Sequence, residues 1–160
     1  MHYVALIRGI MPSNPKMRND RLCAAMSKAG CTDLRPVLAS GNVVFASKAR
    51  SGAALETKIE RAFADELGLK LDVMVRSQAE IDALIASDPF KGATHGGDVY
   101  LLVTFFKDRR EPVCTALTRA QMATPEFMSA ADKEHGKHIT SRTWNTLLKI
   151  AAKMGKGKGK

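Results

Sequence analysis

Apolar residues in the first half of the chain alternate between short β-rich runs and stripes at helical spacing. His2 to Arg8 is a β-rich run that ends at Gly9, and Met11-Pro12-Ser13-Asn14-Pro15 reads as a loop. Leu22, Cys23, Met26 and Ala29 then recur on one helical face, with Gly30 at the stop position. Leu34 to Ala39 and Val43 to Ala46 read as strands around Ser40-Gly41-Asn42, whose Gly and Asn tolerate the positive φ of a tight hairpin. Ser51 suits the cap of a second helix, with the stripe Leu55, Ile59, Ala62, Phe63 and Leu67 and a stop at Gly68. Leu71 to Arg76 is a fourth strand.

In the second half, Ser77-Gln78-Ala79-Glu80 fits a capping box ahead of Ile81, Leu84 and Ile85, and Asp88-Pro89 stops that helix. Lys91 to Gly97 is a Gly-rich loop and Val99 to Phe106 a strong strand. Thr124-Pro125 opens a helix that Gly136 ends. Ser141 is read as starting a last helix that carries Trp144, Leu147, Leu148 and Ala151 and closes at Gly155. The Gly/Lys tail beyond it is expected to be disordered.

The order β-α-β-β-α-β is that of a ferredoxin-like sandwich, an α+β fold with helices on one sheet face. Yet Tyr3-Val4-Ala5-Leu6-Ile7, Val43-Val44-Phe45 and Val73-Met74-Val75 are apolar at every position rather than at alternate ones. Such strands are expected where both faces are covered. The chain therefore divides into a ferredoxin-like lobe over 1–76, a C-terminal α/β extension over 77–154 that packs on or extends the sheet, and a tail over 155–160.

Length and composition agree with one soluble body: 160 residues, 45% hydrophobic and 26% charged. No apolar run is long enough to span a bilayer, so no membrane partner is expected, and no export signal opens the chain. Cys23, Cys31 and Cys114 suit reduced thiols in the cytoplasm. The net charge is +9, which directs attention to anionic partners. Five of those charges, however, are Lys149, Lys153, Lys156, Lys158 and Lys160 within the last twelve residues. Any nucleic-acid or other polyanion contact is accordingly expected to be weak and to come from this C-terminal end.

Catalytic motifs are missing: no nucleophile elbow, no zinc-protease helix, no complete phosphate loop. Glu134, His135 and His138 lie close in sequence but fall short of a four-ligand metal set, so no metal and no cofactor are assigned. Base stacking on the sheet is disfavoured, because the third strand lacks an aromatic pair and the first offers only Tyr3. A DNA-reading helix pair over 124–135 and 141–154 fits less well than an ordinary helical hairpin.

The densest polar group is Thr140-Ser141-Arg142-Thr143-Trp144-Asn145-Thr146. If it opens a helix, free N–H groups and the dipole suit an anion, with Arg142, Asn145 and Lys149 on one face. The same residues also fit ordinary roles: Ser141 as a cap, Trp144 as a core anchor, Arg142 in an ion pair. Arg8 and Arg76, each closing an apolar strand, and Ser40 and Asn42 at the hairpin complete the candidate ligand-binding set.

These signatures carry a resemblance. Val4-Ala5-Leu6-Ile7-Arg8-Gly9-Ile10, Ser40-Gly41-Asn42-Val43-Val44-Phe45, Arg76-Ser77, Asp88-Pro89-Phe90 and Thr140 to Thr146 resemble, in order, the signatures of domain-of-unknown-function family 1697. The resemblance implies a small bacterial cytoplasmic protein and no particular activity. Pro12-Ser13-Asn14-Pro15 replaces the family's Gly-containing loop, Thr143 stands where Asn is common, and the tyrosine-rich strand pair usual between Lys107 and Gly136 is not found. Two functional classes follow: a non-enzymatic binding module for an anionic ligand or nucleic acid, and an interaction or regulatory domain, including a homodimer through an exposed sheet edge.

Overall fold

The computed structural model of the chain describes residues 1–11, 13–118, 120 and 138–157, the side chains of 156 and 157 excluded. Strand β1 (His2–Ile7) pairs antiparallel with β3 (Asn42–Ala46) on one side and β4 (Val73–Ser77) on the other. β2 (Thr32–Pro36) pairs outside β3, giving the sheet order β2-β3-β1-β4. Helices α1 (Asn19–Lys28) and α2 (Gly52–Leu67) follow β1 and β3 in the chain. Ser51 Oγ caps α2 by accepting from Ala54 N–H at 3.2 Å, and Gly68 ends it in the left-handed region at φ +65°.

The remainder forms α3 (Gln78–Ala86), the three-stranded antiparallel sheet β6-β5-β7, and α4 (Trp144–Gly157). Its strands are β5 (Val99–Phe106), β6 (Val113–Thr118) and β7 (Ile139–Thr143). The molecule is thus mixed α+β, with four α-helices and two antiparallel sheets among the described residues.

The unbroken apolar strands of the first sheet serve two cores. Tyr3, Ala5, Ile7, Phe45, Val73 and Val75 meet α1 and α2 through Leu22, Met26, Leu55, Ile59 and Phe63. The intervening Val4, Leu6, Val44 and Met74 meet Ile81, Leu101, Val103, Phe105, Leu147 and Ile150. With period-2 geometry, each strand sends side chains to both faces, and α3, β5 and α4 cover the face that α1 and α2 do not. Tyr3 is only 2% exposed, so no base can stack on it.

Several elements differ from their sequence expectations. The strand expected at Leu34–Ala39 occupies Thr32–Pro36, because Leu38, at φ +62°, and Gly41, at φ +86°, turn the chain. β6 lies in the stretch that showed no recognisable strand pair; its short run Val-Cys-Thr-Ala-Leu-Thr carries too weak a period to stand out. Ser141 does not start a helix. Ile139 to Thr143 pair residue by residue with β5, where β-branched Ile and Thr suit a strand, and Thr143 Oγ1 caps α4 by accepting from Thr146 N–H at 3.3 Å. Arg142 therefore does not share a helical face with Asn145 and Lys149. Helix α4 also continues past Gly155 to Gly157, so residues 155–157 are helical rather than tail. The helix expected from Thr124 to Gly136, and Lys158 and Lys160, lie outside the described residues.

Candidate functional site

Arg142 projects from β7 into the seam between the two sheets. Its Nε donates to Asn42 Oδ1 at 2.5 Å, and its Nη1 to Thr140 Oγ1 at 2.5 Å and to Ser141 O at 2.9 Å. Its Nη2 donates to Ile7 O at 3.0 Å and Gly41 O at 3.2 Å. A guanidinium has five N–H donors, and these acceptors use all of them. Burial lowers its pKa from the ordinary value to about 10, so it stays charged at neutral pH. Nothing of this guanidinium is left over for an outside anion.

Arg8, Ser40, Asn42 and Ser141 of that expected set lie at or beside the same joint. Asn42 is fully buried, its Nδ2 donating to Val37 O at 3.1 Å and Ser40 Oγ at 2.9 Å. Arg8 Nη1 donates to Ile139 O at 2.8 Å, tying the exit of β1 to the start of β7. Ser141 Oγ shares a 2.7 Å hydrogen bond with Thr104 Oγ1 on β5. Trp144 is 9% exposed and meets Phe90 edge-on at 5.3 Å. Arg8, Ser40, Asn42 and Arg142 converge, but on one another and on the backbone. The hairpin, β1 and β7 are pinned there.

Arg76 belongs to a different place. It pairs with Val4 in the β1–β4 register, several residues along the sheet from the Ile7 end. β4 is the outer strand of its sheet, and side chains satisfy its free edge. Glu56 and Glu60, one turn apart on α2, accept from Val75 N–H at 2.8 Å and Val73 N–H at 2.9 Å. Lys107 donates to Val73 O at 2.5 Å and to Glu60, and Arg109 Nη2 donates to Val75 O at 2.9 Å. Lys107 and Arg109 come from the turn between β5 and β6.

Above this edge a cleft of about 400 Å³ opens between α3 and β5. Arg76 and Arg109 line it, Leu84 and Pro112 give it an accessible apolar side, and Ile81 and Phe105 lie buried behind. Arg76 is 5% exposed and lies 5.7 Å from the Phe105 ring centre. Its Nη1 donates to Val75 O at 2.9 Å and, more weakly, to Glu56 Oε2 at 3.5 Å; Nη2 donates to Phe106 O at 2.5 Å. Nε makes no hydrogen bond among the described residues, and Glu80 Oε2 lies 3.7 Å from it. Glu80 is thus the partner of Nε, in an ion pair longer than a hydrogen bond. Burial and then the neighbouring Arg109 push the pKa of Arg76 down from its ordinary value. Arg109 donates through Nη1 to Glu56 Oε2 at 3.0 Å and through Nη2 to Glu80 Oε1 at 3.5 Å. At the rim, Arg110 is held by Asp108 and lies 5.0 Å from the Phe106 ring centre.

Two features show how closely Arg109 is placed. Its backbone sits at φ +67°, unfavourable for a residue with a Cβ and tolerated where surrounding contacts over-determine it. Gly52, the first residue of α2, leaves the space its guanidinium fills: a Cβ there would meet Arg109 Nη2 at 2.7 Å. Gly52→Ala is therefore expected to shift the fold's stability by less than about 1 kcal/mol, since a flexible side-chain end gives way. The same change displaces the guanidinium, so any ligand held by Arg109 should bind less tightly; thermal unfolding alongside ligand titration separates the two effects.

Of the sequence-derived candidates, the cleft contains Arg76 alone. Lys107, Asp108, Arg109 and Arg110 carry a visible charge run after β5, but their region showed no recognisable strand pair to place it. Asn145, Lys149 and Lys153 are exposed on α4, away from the cleft. The side chain of Lys156 is not described. His138 is exposed, while Glu134 and His135 lie outside the described residues. Burial raises the Cys31 thiol pKa to about 11 and those of Cys23 and Cys114 in the same direction, so all three are protonated at neutral pH.

A family model described as "Protein of unknown function (DUF1697)" matches residues 1–134. Among solved structures, the chain is similar to the conserved bacterial protein SP0830 from Streptococcus pneumoniae. That similarity has a TM-score of 0.69 and 18% identity, and it covers 96% of this chain and 98% of the other. At this identity it shows a common fold. No curated protein matches the chain.

Proposed function

The chain belongs to the DUF1697 family of proteins of unknown function, and we propose that it is a non-enzymatic binding module whose anionic ligand sits in the cleft between α3 and β5. The observation that carries this reading is the pairing of Arg76 and Arg109 in the lining of one concave site, where Arg76 Nε is met only by the half-exposed Glu80 carboxylate at 3.7 Å among the described residues. Guanidinium charge in a partly desolvated cleft acts through a lower effective dielectric than in water, and a few convergent polar groups on an apolar lining are typical of ligand sites. The cleft's one hydroxyl, Ser87 Oγ, donates to Leu84 O at 2.6 Å within its own helix end, which supports binding rather than nucleophilic chemistry.

Hexanoate, a carboxylate with an apolar body, should raise the unfolding temperature with concentration, and acetate should do so less. Arg109→Gln should abolish the effect. No stabilisation by either carboxylate, or stabilisation that survives Arg109→Gln, would overturn the reading.

One further contact has support of its own. Asn145, Lys149 and Lys153 are exposed at helical spacing on α4, and no Asp or Glu occurs from Ile139 to Lys160. This end is read as a weak, salt-sensitive polyanion surface, separate from the cleft; binding of an oligonucleotide that persists as salt rises would argue against it. Self-association through a sheet edge has less support. Side chains occupy the β4 edge, and β2 is irregular between Thr32 and Arg35, which leaves the outer sides of β6 and β7 as its candidates.

The element order through β4, with sheet order β2-β3-β1-β4, supports a ferredoxin-like lobe over residues 1–76, with 77–154 as its extension. No helix among the described residues is long and apolar enough to cross a membrane. Three free cysteines support a cytoplasmic setting.

A further inference from the structure

Two carboxylates address the guanidiniums of Arg76 and Arg109, and they are held very differently. Glu56 is locked: its side chain is 4% exposed, it lies 3.0 Å from Arg109 Nη1, and it also accepts from Val75 N–H at 2.8 Å. Glu80 is loose. Its side chain is 48% exposed, and its oxygens stand 3.5 Å from Arg109 Nη2 and 3.7 Å from Arg76 Nε. A charge-assisted N–H···O⁻ bond is normally about 2.7–2.9 Å long. Nor does α3 need this carboxylate for its start. Ser77 Oγ accepts from the Glu80 backbone N–H at 3.1 Å, and the reciprocal reach of a capping box is replaced by the reach toward the arginines.

We propose, on the reading that the cleft binds an anion, that Glu80 is a built-in stand-in for the ligand's charged group, and that the ligand is a monocarboxylate with a short apolar body. The ligand's carboxylate takes the position between Arg76 Nε and Arg109 Nη2 while Glu80 swings into solvent. Its apolar part lies along Leu84 and Pro112, the apolar lining that is not buried. Charge balance selects the class. Arg76 and Arg109 are matched by Glu56 and Glu80, so moving Glu80 out leaves a place for one negative charge. A phosphate dianion exceeds that, and Glu80 and Glu111 at the rim repel the excess.

Under this arrangement the ligand and Glu80 compete, and apparent affinity is reduced by the fraction of time the site is filled from within. Removing the carboxylate should therefore strengthen binding. Isothermal titration of hexanoate into Glu80→Ala should give a dissociation constant about tenfold lower than for the unaltered protein. Glu80→Gln, which keeps the shape and loses the charge, should show most of that gain. Circular dichroism confirms folding of both variants.

The outcomes separate the two levels. Hexanoate binding that depends on Arg109 but is unchanged or weaker in Glu80→Ala overturns the stand-in and leaves the cleft reading in place. Inorganic phosphate binding as tightly as hexanoate overturns the carboxylate class. No hexanoate binding by either protein overturns the cleft reading and this proposal with it.

Discussion

Arg142→Met is expected to destabilise the protein by about 3–4 kcal/mol, the sum of several buried acceptors losing their donor at once. Asn42 Oδ1 and Ile7 O would lose the donor that Arg142 gives them, and Gly41 O would keep only the Ile7 N–H, where β1, the β2–β3 hairpin and β7 meet. Against a total stability of roughly 5–15 kcal/mol for an ordinary domain, that is a large fraction. Urea unfolding should show the midpoint falling with little change in slope. Arg142→Lys should recover less than half of the loss, because an ammonium has three donors on one point and cannot span acceptors on three strands. A loss below about 1 kcal/mol would mean that water replaces the guanidinium freely and that Arg142 is not a structural joint.

Gly41→Ala is expected to cost about 3 kcal/mol, from two effects that add. The position lies at φ +86°, where an L side chain is strained by about 1–2 kcal/mol. A Cβ there would also stand 2.6 Å from Ile7 O and 2.7 Å from Ile10 Cγ1. The first of these is backbone and cannot swing aside; it also accepts from Arg142 Nη2. Gly9→Ala is the control. Gly9 has a similar φ of +83° but nothing within 4 Å of its ideal Cβ, so it should cost only the conformational part, about 1–2 kcal/mol. Equal losses at the two positions, by thermal unfolding, would show that the contact with Ile7 is relieved by movement.

The joint and the cleft differ in how far their residues could be read from the chain. Ser40-Gly41-Asn42 announces a turn because its residue types are the ones a turn requires, and the turn is there. That Asn42 faces inward to receive Arg142, a hundred residues away, has no local signal. The Thr140 to Thr146 segment misleads for the same reason: Ser141 is an acceptable cap, but pairing with β5 overrides that local preference and moves the cap to Thr143. In the cleft, Arg76 was visible at the end of an apolar strand. Its partners Glu56, Glu80 and Arg109 lie on two helices and a turn that no spacing rule connects, and the space for Arg109 is made by a missing side chain at Gly52.

The pattern of hydrophobic positions by itself determined the element order from β1 to β4. It also required a second covering layer, because strands apolar on every residue are stable only when both faces lose water. Charge counting by itself placed the basic excess at the chain's end. Which arginines are structural and which face a cavity was decided only by tertiary packing. A guanidinium's role depends on how many of its donors the fold consumes: all five are used at Arg142, whereas three hydrogen bonds engage Arg76 and its Nε meets only the Glu80 carboxylate at 3.7 Å.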